Sequence, residues 1–129
     1  MRNPIVIAVL VTAAGCNNAR AASPDSSNPA HCIAAMNFEA YWLSKNPKHA
    51  DSLAEVRARS LFEAQKIKAS GASLKAAAAE GAALTKAYAN DADKMNALAL
   101  ACLRAEDSDA RFQQEKQTLI ETVRNNWRE

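Results

Sequence analysis

The sequence predicts an all-α fold, a small up-down bundle of four or five helices closed by one disulfide. Three observations carry this. Alanine dominates the apolar residues, while glycine is confined to Gly15, Gly71 and Gly81 and proline to the first half of the chain, a composition that favours helix. Apolar residues recur at helical spacing through most of the chain after Asn28. Helix punctuation stands between these runs, at Asn28-Pro29, Asn46-Pro47, Ser70-Gly71 and Asp91. A length of 129 residues allows one domain, residues 28–129, with a single modest core.

The first helix runs from Pro29 to about Lys45 and is the element around which the rest is expected to pack. Asn28 suits the N-cap, Pro29 the first helical position, where a missing N–H costs nothing, and Asn46-Pro47 closes the far end. Cys32, Ile33, Met36, Ala40 and Leu43 form one stripe at 100° per residue and are the expected core face. Phe38, Tyr41 and Trp42 fall on the opposite side, so the helix has two apolar faces. Such a helix either packs centrally on both sides or offers the aromatic trio to a partner.

The second helix starts at Pro47 or one turn later at Asp51 and ends at Ser70-Gly71, with Gly71 as a left-handed cap and Lys66 and Lys68 in the last turn. Leu53, Val56, Ser60, Ala64 and Ile67 are its expected core stripe, with Phe62 off that line. Glu55 and Arg59, at i, i+4, read as part of a solvated face. Ser73 caps a third helix, to about Ala89, whose small residues around Gly81 suit close packing against a neighbour. Asp91 caps a fourth, with Met95, Leu98, Cys102 and Ala105 in a stripe that Phe112, Leu119, Ile120, Val123 and Trp127 continue. A break at Asp107-Ser108-Asp109 would turn the last helix back onto the bundle. Without it, the exposed stripe would need a second copy of the chain, and a homodimer would follow.

Upstream of the domain, Met1-Arg2-Asn3 is a short positive region, Ile5 to Val11 an apolar run, and small residues follow, the layout of a secretory signal too short to act as a stable membrane anchor. Two processing sites compete. Thr12-Ala13-Ala14-Gly15-Cys16 resembles a bacterial lipobox, which implies a signal over residues 1–15 and lipidation of Cys16; Ala13 departs from the aliphatic residue usual there. Ala19-Arg20-Ala21 is an A-x-A site, which implies a signal over residues 1–21 and a soluble periplasmic or secreted product. The first is preferred. Asn17 after the cysteine resembles the arrangement in lipoproteins that move on to the outer membrane, facing the periplasm. Residues 16–27, poor in bulky apolar side chains, form the expected flexible tether.

With Cys16 lipidated or removed, Cys32 and Cys102 remain as a pair, and in an oxidising compartment an even pair reads as a disulfide. Geometry agrees. At 1.5 Å per residue Cys32 lies roughly 18 Å below the Ser44 end of its helix and Cys102 about 15 Å below the start of its own, so antiparallel packing brings them to similar heights.

No motif for catalysis stands out. The chain lacks a Gly-rich phosphate loop, G-x-S-x-G, H-E-x-x-H and C-x-x-C-H, and Glu63, Glu80 and Asp109 read as lone carboxylates, so no enzymatic activity, cofactor or haem is expected. His31 and His49 read as surface residues too far apart to share a metal. Arg57, Arg59, Lys66 and Lys68 are interleaved with Glu55 and Glu63, and the net charge of +2 falls toward zero once the signal leaves, which argues against nucleic acid. The expected function is a non-enzymatic envelope module that binds a protein partner through Phe38, Tyr41, Trp42 and Trp127, attached to the membrane through Cys16 when that residue is modified. The alternatives are a carrier or sensor of a small apolar ligand, and a stress-responsive protein that resembles chaperones built as small exported bundles. Exposed Trp42 favours protein binding; Trp42 buried beside a cavity favours the carrier.

Overall fold

The computed structural model describes residues 23–126, which fold into five α-helices with no strand among them. They are α1 (Pro29–Leu43), α2 (Ala50–Ala69), α3 (Leu74–Ala87), α4 (Ala92–Asp107) and α5 (Ala110–Asn126), with a 3₁₀ turn over Pro47–His49 leading into α2. The segment expected to be a signal, the expected lipidation site Cys16 and Trp127 lie outside the described residues. No described helix is long and apolar enough to cross a membrane.

Local chemistry accounts for each boundary. The side chains of Asn28, Ser73 and Asp91 accept hydrogen bonds from the N–H groups of Ala30, Ala76 and Lys94, each satisfying one orphan donor of a first turn. Asn46 does the same for Lys48, but it caps the 3₁₀ turn, and α2 begins at Ala50 without a side-chain cap. At the end of α2, Gly71 takes φ +82°. Ala72 N–H then reaches Ile67 O at 3.2 Å and Gly71 N–H reaches Lys68 O at 3.0 Å, the paired bonds of a Schellman cap. The apolar line from Met95 to Val123 is broken where Asp109 Oδ1 accepts from the N–H groups of Arg111 and Phe112, which starts α5 afresh. The last helix therefore returns to pack on α2, and the condition that called for a second copy is not met.

α1 is the hub, packed against α2, α3 and α4. One core cluster gathers around it, including Cys32, Met36, Leu84, Met95, Leu98 and Cys102. A second lies between α2 and α5, where Phe62 and Phe112 meet edge to face at 5.0 Å amid Ala54, Ala58, Leu119, Ile120 and Val123. Two sequence expectations change here. Phe62, placed off the stripe of α2, is fully buried, because α2 is covered by α1 on one side and α5 on the other and so buries more than one stripe. On α1 burial is concentrated between Ala30 and Met36 instead of running its whole length, and Ile33, Ala40 and Leu43 of the expected stripe are only half-buried.

Gly81 shows how closely α3 sits on α1. A Cβ there would lie 3.2 Å from the Ala30 carbonyl oxygen and 3.5 Å from the Ala34 Cβ. A bulkier side chain must push two backbones apart, so Gly81→Val is expected to destabilise the domain by about 1–3 kcal/mol, measurable by urea unfolding. An unchanged midpoint would show that α3 can move off α1 freely.

Candidate functional site

The predicted contact residues sit where α1 emerges from the core. Phe38 is half-buried against the first cluster, whereas Tyr41 is 56% and Trp42 57% exposed. The three rings form a ledge rooted at Phe38. Phe38 and Trp42 are edge to face at 6.4 Å, Tyr41 and Trp42 at 5.2 Å, and Lys45 Nζ lies 4.2 Å from the Tyr41 ring centre. Helical spacing explains the grouping, since residues 38, 41, 42 and 45 are three or four apart and share a face. Mutual ring contacts hold the two exposed side chains in place, which lowers the entropy lost when a partner covers them.

His31 is not the surface residue that the sequence suggests. It is buried. Its Nδ1 accepts from Asp25 N–H at 3.0 Å, and its Nε2 lies 3.3 Å from Glu80 Oε2, which also accepts from Asn28 Nδ2 at 2.8 Å. The imidazole thereby fastens residues 25–28 to α3, with its proton on Nε2 because Nδ1 serves as an acceptor. His49 remains exposed.

Between the two core clusters lies a polar group that the sequence reading missed. Arg59, assigned to a solvated face, is 2% exposed, and Glu63 and Glu106 are 2% and 1% exposed. Arg59 Nη1 donates to Glu106 Oε1 at 3.0 Å, and Nη2 donates to Glu55 Oε2 at 2.7 Å and to Asp107 Oδ1 at 2.8 Å. Its guanidinium also lies 4.8 Å from the centre of the Phe112 ring. Burial works against its charge, but the hydrogen bonds to Glu55, Asp107 and Glu106 more than offset that, and its pKa is raised.

Glu63 is not a lone carboxylate. Glu63 and Glu106 each present one oxygen, and these two atoms and Cys32 Sγ all lie within 4.8 Å of one another. Glu63 Oε1 and Glu106 Oε2 are buried without a hydrogen-bond partner of their own; Lys66 Nζ is 3.0 Å from Glu63 Oε1 but is not aligned for a hydrogen bond. Burial, reinforced by the Glu63 carboxyl, pushes Glu106 up to about 9 against the pull of Arg59. Glu106 therefore keeps its proton beside Glu63, as expected where like charges cannot both ionise in a confined space. One sequence signal pointed here. Glu106 stands four residues after Cys102 and so shares its buried face.

Cys32 and Cys102 form the predicted disulfide, with a Cα–Cα distance of 5.7 Å. Both sulfurs are buried, and Cys32 Sγ lies 3.2 Å from the Ser26 carbonyl oxygen. No family model matches the chain, and no curated protein and no solved structure matches it.

Proposed function

We propose that this protein is a non-enzymatic module of the bacterial envelope that binds another protein through the aromatic ledge of α1. The observation that carries the reading is the exposure of Tyr41 and Trp42, each more than half open to solvent on an otherwise well-packed helix. Trp and Tyr are the side chains that most often dominate binding energy, and here they are already held in place. The envelope location is supported by the signal-like N-terminus and by the Cys32–Cys102 bond, which suits an oxidising compartment. Lipidation at Cys16 would hold the domain at the membrane with the ledge free.

A photo-crosslinking residue at position 41, in the chain expressed in its own envelope, is expected to give a discrete adduct that Trp42→Ala abolishes. The substitution should leave stability within about 0.5 kcal/mol of wild type, because the side chain is exposed. Adducts unchanged by Trp42→Ala, or none at all, would sink the reading. The carrier alternative has one supporting feature, an apolar groove of about 320 Å³ between α1 and α3 lined in part by Ile33, Leu74 and Ala78. Trp42 does not line it. Extra mass on the natively purified chain, lost on Ile33→Glu, would favour the carrier instead.

A further inference from the structure

We propose that reduction of the Cys32–Cys102 bond turns the buried cluster beside it into a tetrahedral Zn²⁺ site, with both thiolates and one oxygen each of Glu63 and Glu106 as ligands. The donors come from three elements, α1, α2 and α4, which the fold brings together. The two carboxylate oxygens lie within 4.8 Å of each other and of Cys32 Sγ, and Cys102, the fourth donor, stands beside Cys32 at a Cα–Cα distance of 5.7 Å. Zinc takes sulfur at about 2.3 Å and oxygen at about 2.0–2.2 Å, so closing a tetrahedron needs movements of about 1 Å.

Glu106 Oε2 is the independent sign of a ligand. It is buried with no hydrogen-bond partner, on a residue of the cluster, whereas Glu63 Oε1 has Lys66 Nζ at 3.0 Å. The outer shell is also in place. Arg59 holds Glu106 by its other oxygen, Oε1, and leaves Oε2 free to ligate. Glu55 and Asp107 pair with the same guanidinium and offset its repulsion of a dication. Mixed thiolate and carboxylate donors in a closed tetrahedral site select zinc over magnesium or calcium, which require more oxygen ligands.

The chemistry balances with a dithiol as reductant. One of its thiolates attacks a sulfur of the bond, and its second thiol closes on the first, so the dithiol is oxidised to a disulfide while Cys32 and Cys102 become thiols. Zn²⁺ then displaces both thiol protons and the Glu106 proton, all of which pass to solvent. Access lies on the side of Ser26, which belongs to no helix and whose carbonyl oxygen lies 3.2 Å from Cys32 Sγ.

The test uses the purified full chain, reduced anaerobically with a phosphine and titrated with Zn²⁺ alone against a chromophoric chelator, then with Co²⁺. The expected result is one metal per chain in the reduced protein, none in the oxidised protein, and tetrahedral Co²⁺ bands with sulfur charge transfer. The double variant Glu63→Gln, Glu106→Gln should keep the charge transfer but bind at least about tenfold more weakly. If reduction alone loosens the helices, zinc should restore the far-UV signal in wild type and not in the double variant. The proposal is overturned by no stoichiometric binding, by equal binding in the oxidised protein, or by equal affinity in the double variant.

Discussion

Glu106→Ala is expected to cost about 3–5 kcal/mol at neutral pH, among the largest single-residue effects in this domain, because it leaves Glu63 buried without the carboxyl beside it and takes one of three carboxylate acceptors from Arg59. Glu106→Gln separates charge from hydrogen bonding. Its amide oxygen can still accept from Arg59 and its NH₂ can donate to Glu63, so it should lose far less. The two variants should also part company as pH changes. Glu106 is held protonated up to about 9 in the folded chain, whereas an ordinary glutamate titrates near 4.3 when unfolded. Its stabilising contribution is therefore fully present below the unfolded value and is lost as pH rises through about 9. Urea midpoints from pH 6 to pH 10 in the oxidised protein should fall for wild type and change less for Glu106→Gln. Parallel curves would show that Glu106 is not held protonated. The same sign means that acid does not loosen the domain through Glu106.

Opening the disulfide is the second large effect. The two cysteines are 70 residues apart in sequence, and the chain-entropy model gives roughly 4 kcal/mol for a loop of that size, or a fall in melting temperature of about 15–30 °C for a domain of this length. Reduction in the presence of a chelator, and separately the double replacement Cys32→Ala, Cys102→Ala, should both show it by calorimetry. A fall of only a few degrees would mean that the reduced unfolded chain keeps much of its structure. Because both sulfurs sit in the cluster around α1, the loss should also be seen as faster amide exchange on α1 and α4, with α5 least affected.

Most of the secondary structure was legible in the residues, and for one reason. Caps and breaks are local chemistry. Asn28, Ser73 and Asp91 accept from N–H groups two or three residues away, Gly71 is the residue that takes a positive φ without strain, and Asp109 restarts a helix within its own first turn. The disulfide was legible too, because two cysteines on core stripes at matching heights leave little freedom. The ledge was half legible: the spacing of Phe38, Tyr41 and Trp42 put them on one face, but spacing alone does not say whether another helix covers it.

What the sequence by itself determined is the all-α class, the helix ends and the pairing of Cys32 with Cys102, since each follows from neighbours along the chain or from two constraints that must agree. What only the tertiary structure decided is which polar residues lie inside. Arg59 and Glu63 have the spacing of a solvated face, and Glu106 looks like an ordinary acidic residue near a helix end. They are buried because α2 lies between two packed neighbours and the end of α4 brings Glu106 to Arg59, joining side chains 47 residues apart. A charge pattern along one helix carries no record of what packs against it, so the exposed ledge and the buried acid pair became distinguishable only in the folded chain.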